Sequence, residues 1–190
     1  EANPWGVILM GRSCASVEQV TALTDEVCQI TGRQTLFFID QEGGRVRRLR
    51  PPVRPEFPAP LSYLALYKAE PELGREAVWL HHRLMAAELE PMGIRADCAP
   101  VVDILHAGMH KIVGDRALGD SADVVGDLAQ SALAGLAAGG VAGVIKHMPG
   151  HGRAEVDSHE TLPVVRAARE QVAQDIPPFK LVRHPTMGMT

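Results

Sequence analysis

The sequence predicts an α/β protein in which helices cover a parallel sheet. Three observations carry this. Short, continuous apolar runs alternate with stretches of helical periodicity along the chain. The runs lack polar alternation, as strands buried on both faces require. Glycine or proline punctuates the junctions between them.

The elements follow in order. Val7-Ile8-Leu9-Met10 reads as a buried strand. Ser16 can cap the next helix, with Gln19 at capping-box spacing. Val20, Leu23, Val27 and Ile30 recur at helical spacing, and Gly32 stops the helix. Thr35 to Ile39 is β-branched and aromatic, a second strand. Pro51 to Pro60 holds five prolines and reads as a stiff extended loop.

Leu73, Ala77, Leu80, Leu84 and Ala87 mark one face of a second amphipathic helix, ended by Pro91 and Gly93. Ile94 to Ala99 reads as a strand despite Arg95 and Asp97. Ser121 caps a third helix carrying Val125, Leu128, Ala132 and Leu136, and Gly139-Gly140 terminates it. Val141 to Ile145 is another buried strand. A short helix near Arg169 to Gln174 and a strand near Met187 to Thr190 complete the pattern.

The chain has 190 residues, 46% of them apolar and 22% charged, with a formal charge of −4. That is enough for one sizeable core and gives no basic footprint for nucleic acid. Arg45, Arg47, Arg48, Arg50 and Arg54 do cluster after the second strand, as a solvated loop or a binding surface would. No apolar stretch is long enough to cross a bilayer. The opening Glu1-Ala2-Asn3-Pro4 is no signal peptide, and without a Met it leaves an earlier leader open. Cys14, Cys28 and Cys98 are odd in number and scattered, which points to a reducing compartment rather than a disulfide framework.

An open doubly wound sheet and a (β/α)8 TIM-type barrel share this alternation. No glycine-rich dinucleotide fingerprint follows the first strand, which weighs against the former. Asp40 ends one strand, Asp97 and Asp103 flank the end of another, and Lys146-His147 ends a third. A barrel assembles its site from such carboxyl-terminal strand ends.

Two segments have a specific look. One is Ile39-Asp40-Gln41-Glu42-Gly43-Gly44-Arg45-Val46; the other is Lys146-His147-Met148-Pro149-Gly150-His151-Gly152, followed by Asp157-Ser158-His159. Together with Gly114-Asp115-Arg116 and Leu162-Pro163-Val164-Val165, in this order, they resemble the β-N-acetylglucosaminidases of glycoside hydrolase family 3 that recycle bacterial cell-wall sugars. The similarity spans nearly the whole chain. Met148 departs from the pattern, standing where the family usually has phenylalanine.

The resemblance implies a (β/α)8 barrel, incomplete here, with about five or six of the eight β-α units present. Residues 1–190 would be a single partial catalytic domain, truncated at both ends relative to the family. Asp40, Arg48, Arg116, Lys146 and His147 would line the pocket for the non-reducing N-acetylglucosamine. A carboxylate paired with cationic donors can grip two adjacent sugar hydroxyls. His159 would be the general acid/base and Asp157 its partner, in place of the usual second carboxyl group. The family's nucleophile is an aspartate on a later strand in a Ser-Asp-Asp-type segment; none occurs here, so the nucleophile stays unnamed.

The implied activity is a retaining exo-β-N-acetylglucosaminidase acting on N-acetylglucosamine linked to (anhydro)muramic acid peptides. It would act in the bacterial cytoplasm, with no cofactor or metal and no nucleic-acid or membrane partner. The alternatives are a non-catalytic sugar-binding fragment or pseudoenzyme, and a phosphorylase of the same family. A metal reading would use His147, His151 and His159 as three ligands. Pro149, Gly150 and Gly152 argue against it, since they forbid the helix that would pair His147 with His151.

Overall fold

The computed structural model describes residues 3–106, 112–153, 164–165, 167–183, 185 and 187–190. Its strands are β1 (Gly6–Leu9), β2 (Leu36–Ile39), β3 (Ile94–Asp97), β4 (Ala142–Lys146) and β5 (Met187–Met189). Its helices are α1 (Val17–Thr31), α2 (Tyr63–Ala69), α3 (Pro71–Leu89), α4 (Ala122–Ala138), α5 (Arg169–Val172) and α6 (Pro177–Leu181).

The five strands form one sheet in chain order, β1-β2-β3-β4-β5, and every pair is parallel. A doubly wound sheet must reverse its strand order at one point. A barrel adds each new strand at the same edge. The order seen here is the barrel's.

Helix α1 forms as its sequence dictates. Ser16 Oγ accepts the Gln19 amide at 3.1 Å. The Gln19 side chain returns to the N–H of Ala15 at 3.0 Å, one residue earlier than a strict capping box. Gly32 closes the helix in the left-handed region at φ 67°. Val20 and Thr24 are buried, and Leu23 and Val27 pack beside them. Ile30 is 77% exposed, contrary to expectation. At 3.6 residues per turn it lies roughly 100° from the Val20–Thr24 centre, beyond the buried stripe.

Helix α3 needs a larger correction. Leu73, Leu80 and Leu84, expected in the core, are exposed, as is Ala87. The buried face is Gly74, Val78, His81, His82, Met85, Ala86 and Leu89, roughly the opposite side. Two stripes of this helix are apolar enough to be buried. The winning one carries two histidines whose Nδ1 atoms find local partners: Tyr63 Oη at 2.8 Å for His81, and the Val78 carbonyl at 2.8 Å for His82. Helix α4 buries Val125, Leu128, Ala132 and Leu136 as expected, although Ser121 caps it by position without a side-chain bond.

Residues 51–54 form a turn inside the proline-rich stretch expected to be extended, with the Val53 and Arg54 amides donating to the Arg50 carbonyl. Helices α2 and α6 have no counterpart in the sequence reading; both are short, α2 following the turn that holds Pro60 and α6 opening on Pro177-Pro178. The core has two main parts. One packs α1 and α3 over β1–β3, with Leu9, Phe37, Leu89, Met92 and Ile94. The other packs α4 against α3 and α6, with Val78, Leu128, Ala132, Phe179 and Val182. Among the described residues, no helix is long and apolar enough to cross a membrane.

Candidate active site at the carboxyl ends of the strands

Asp40 is the first residue after β2 and Lys146 the last of β4. The loop between Asp40 and Arg48 is folded by the amide side chain of Gln41. Its Oε1 accepts the N–H groups of Arg48 at 2.9 Å and Leu49 at 3.1 Å, and its Nε2 donates to the Leu49 carbonyl at 3.0 Å. This brace turns the chain back so that Arg48 Nη2 donates to Asp40 Oδ2 at 2.8 Å. Gly43 makes the turn at φ 92°, a conformation that disfavours a side chain. An added Cβ there would also strike the Pro58 carbonyl and lie 2.9 Å from the His81 ring.

A continuous chain of charge-assisted bonds runs from this loop across the strand ends. Lys146 Nζ donates to Asp40 Oδ1 at 2.9 Å and lies 2.6 Å from Glu42 Oε1. Arg116 holds Glu42 in a fork, Nε to Oε2 and Nη2 to Oε1, both at 2.8 Å. Arg116 Nη2 also approaches His147 Nε2 at 3.3 Å. A guanidinium can only donate, so in this contact Nε2 accepts and the ring proton sits on Nδ1. That nitrogen is 2.7 Å from Asp103 Oδ2. Asp103 Oδ1 takes the backbone N–H of His151 at 2.6 Å. The peptide bonds Lys146–His147 and Met148–Pro149 in this loop are cis.

Three carboxylates (Asp40, Glu42, Asp103) thus meet three cations (Arg48, Lys146, Arg116), so the array is charge-balanced. The side chains of Lys146 and Glu42 are 2% and 1% exposed, whereas Asp40, His147 and Arg48 keep 14%, 23% and 27%. The last three form the accessible lip: Lys146 fixes Asp40 from below, Asp40 holds Arg48, and Asp103 and Arg116 hold His147.

Burial alone would raise the pKa of Asp40; Lys146 and Arg48 outweigh it and hold the carboxyl below its ordinary value. Glu42 is likewise pulled down, against burial, by the hydrogen bonds of Arg116 and the charge of Lys146. Burial would lower Lys146, but Glu42 and Asp40 raise it above the usual lysine value. Asp97, at the end of β3, goes the other way. Full burial pushes its carboxyl well above the usual range, only partly offset by the Gln41 N–H that Oδ1 accepts at 3.0 Å.

Residues 4–185 match the glycosyl hydrolase family 3 N-terminal domain. The chain belongs to glycosyl hydrolase family 3. It is 38% identical over 185 residues to a beta-hexosaminidase of Thioalkalivibrio sulfidiphilus, covering 97% of this chain and 53% of that protein. A beta-hexosaminidase of Alkalilimnicola ehrlichii is 39% identical over 176 residues, covering 92% and 50%. The chain therefore spans about half the length of these relatives.

Among solved structures, native NagZ from Neisseria gonorrhoeae superposes with a TM-score of 0.88 at 30% identity, over 97% of this chain and 54% of that one. The same Neisseria protein has been solved in complex with N-trifluoroacetyl-D-glucosamine. A family 3 beta-N-acetylglucosaminidase from Paenibacillus gives a TM-score of 0.84 at 32% identity, over 95% and 34%. The fold is the family's α/β barrel domain in incomplete form, with five parallel strands among the described residues.

Asp40, Arg48, Arg116, Lys146 and His147 all lie in one hydrogen-bonded network, although bonded partners are up to 106 residues apart. Asp157 and His159 lie outside the described residues. Two members of the network, Glu42 and Asp103, are not among the pocket residues that the sequence nominates; Glu42 sits inside the Ile39–Val46 motif, and Asp103 stands out only as a strand-end charge. The signal for Glu42 was available: a cationic Lys146 ending a buried strand needs more than one carboxylate to be retained there. Of the other arginines, Arg45 pairs with Asp115 at 2.8 Å and Arg47 with the Gly44 carbonyl and Glu56.

Proposed function

We propose that the full-length protein is a retaining exo-β-N-acetylglucosaminidase that removes terminal N-acetylglucosamine from peptidoglycan-derived (anhydro)muramic acid peptides. The observation that carries this is the lip formed by Asp40, Arg48 and His147 over the buried Lys146–Glu42–Arg116 base, in a family 3 chain. Asp40 offers acceptor oxygens and Arg48 offers donors side by side. That pairing suits vicinal hydroxyls, each of which donates and accepts. The donors and acceptors are held before any ligand arrives, which reduces the cost of ordering them on binding.

In this reading residues 1–190 are part of a single catalytic barrel. Asp157 and His159 supply the acid/base dyad, and the nucleophile is a carboxylate elsewhere in the full-length chain. The imidazole protonates the leaving oxygen and then deprotonates the water that frees the glycosyl-enzyme. No cofactor or metal is invoked. We place the reaction in bacterial cell-wall recycling in the cytoplasm, a setting that suits the free thiols of Cys14, Cys28 and Cys98.

The test is turnover by the full-length protein of an activated aryl β-N-acetylglucosaminide and of the sugar–muramic acid disaccharide. Asp40→Ala should weaken N-acetylglucosamine binding by about 2–4 kcal/mol. His159→Ala should spare glycosylation by the aryl substrate, whose leaving group needs little proton assistance, and cost the disaccharide about 10²–10⁴-fold. Product formation that requires phosphate would make the protein a phosphorylase instead. Unchanged sugar affinity in Asp40→Ala would remove the network from the site.

A further inference from the structure

The apolar stripe that the sequence places on the second amphipathic helix is used neither by the core nor by the sugar-facing network. Leu73, Ala77, Leu80, Leu84 and Ala87 run along the outer side of α3. Leu73 is 44% exposed, and Leu80 and Leu84 are each 49% exposed. Trp79, also exposed, borders the stripe on the side of α4. Single exposed leucines are ordinary on a protein surface, whereas a continuous apolar line marks a place of contact.

The spacing says what kind of contact. The five residues stand at intervals of 4, 3, 4 and 3. This is the heptad repeat of a helix that meets another helix along one seam. The face that α3 buries in the core is broader and holds Val78, His82, Met85 and Leu89. One helix thus carries a broad face for the core and a narrow seam for a second helix. In the helical layer α3 sits between α2 and α4, whereas a barrel grows at the open edges of its sheet, here β1 and β5. The outer side of α3 is therefore not where the sheet extends.

The charges beside the seam choose the orientation. Glu76 and Arg83, seven residues apart, flank it on the α4 side. Neither has an ion-pair partner among the described residues. Their neighbours are committed: Arg75 to Glu72 and Asp127, and Glu88 to Arg54. Consider a second α3 turned end for end about a two-fold axis near residues 78 and 79. Leu73 then meets Leu84 of the second copy, and Ala77 meets its Leu80, large against small in the middle layers. Glu76 of each copy comes beside Arg83 of the other. A parallel pair would set Arg83 near Glu88, which Arg54 already holds, and Glu76 near His81, which is buried.

We propose that the seam of α3 binds the same seam of a second copy of this chain, antiparallel about a two-fold axis, to form a homodimer through the outer helices. The proposal does not depend on the sugar reading. A helix of 19 residues is about 28 Å long. A contact of that length lies at the small end of specific interfaces, so the dimer is a weak one, with a Kd of about 1–100 μM. The two Glu76–Arg83 pairs lie at the rim, where they set orientation more than they add affinity.

The experiment is analytical ultracentrifugation of the full-length protein across roughly 1–300 μM, a range that spans this Kd. The variants are Leu80→Glu, Glu76→Arg and Arg83→Glu, each checked by thermal melting at low concentration. None of the three sites is in the core, so the monomers should melt as wild type does. Leu80→Glu should weaken association about 30-fold or more. Glu76→Arg and Arg83→Glu should each weaken it about 10-fold, because two attractive pairs become repulsive. Mixed together, these two variants should associate as tightly as wild type, because positions 76 and 83 then face opposite charges again. A wild-type monomer throughout the range would overturn the proposal, as would a dimer that Leu80→Glu leaves intact. So would a mixture no tighter than its parts, since the antiparallel pairing sets position 76 opposite position 83. A monomer whose melting temperature falls in Leu80→Glu would place another part of the same chain on the seam instead.

Discussion

Replacing Lys146 with methionine is the most informative perturbation of the network. The change keeps the unbranched shape and removes the charge. Lys146 lies 2.9 Å from an Asp40 oxygen and 2.6 Å from a Glu42 oxygen. At an effective dielectric of about 20, each contact is worth roughly 6 kcal/mol before desolvation. Most of that is offset, because removing a buried ammonium also removes its desolvation penalty of several kcal/mol. Arg48 still holds Asp40, and Arg116 still holds Glu42 by a fork. The net loss should therefore be about 3 kcal/mol, at the low end of what breaking a buried pair costs.

The assay is denaturant unfolding of the full-length protein at pH 7, read from the midpoint at constant slope. It should be run with Glu42→Gln and the double variant to complete a cycle. Glu42→Gln should recover part of the loss in the Lys146→Met background. A pH series adds a sign. Asp40 and Glu42 are depressed in the fold, so their stabilisation is present above the ordinary carboxylate range and lost as pH falls through the depressed values. Without Lys146 that loss should be smaller and complete at higher pH, since its onset is set by the unfolded carboxyl and its end by the folded one. A cost under about 0.5 kcal/mol with additive single variants would mean that the short distances carry no net energy.

Two further outcomes are expected. Asp97 is raised in the fold, so the wild-type protein should lose stability relative to Asp97→Asn as pH rises from about 4, where the unfolded carboxyl ionises, through the raised folded value; parallel profiles for the two proteins would refute this. Gly43→Ala should cost about 2 kcal/mol or more, because φ 92° and the Pro58 carbonyl both oppose a Cβ; a denaturation midpoint equal to wild type would show that the turn has another conformation.

What could be read from the sequence follows the range of the forces involved. The Ser16 cap, the Gly32 stop and the α4 stripe depend on residues within a few turns of one another, and they were legible. So were Asp40, Lys146 and His147 as strand-end charges, since a parallel sheet brings those ends together. The buried face of α3 was not legible. Periodicity finds an apolar stripe but cannot choose between two, and the partners that the Nδ1 atoms of His81 and His82 find inside are set by the fold. Glu42 and Asp103 were missed for a related reason. Their partners, Arg116 and His147, lie 74 and 44 residues away, a pairing that only the assembled fold displays.

The stretch Asp40-Gln41-Glu42 divides three tasks among three consecutive residues. Asp40 and Glu42, two apart, both reach Lys146, while Gln41 reaches the other way to hold Arg48 and Leu49. In extended backbone the side to which a residue points is set by its parity. Inserting or deleting one residue here would therefore exchange the amide and the carboxylates, dismantling the turn and the ion network in a single step. The turn at residues 51–54 carries no such parity, since the Asp40–Arg48 contact closes before it. Variation in length should accumulate in the proline-rich part of this loop and be excluded from its first three residues.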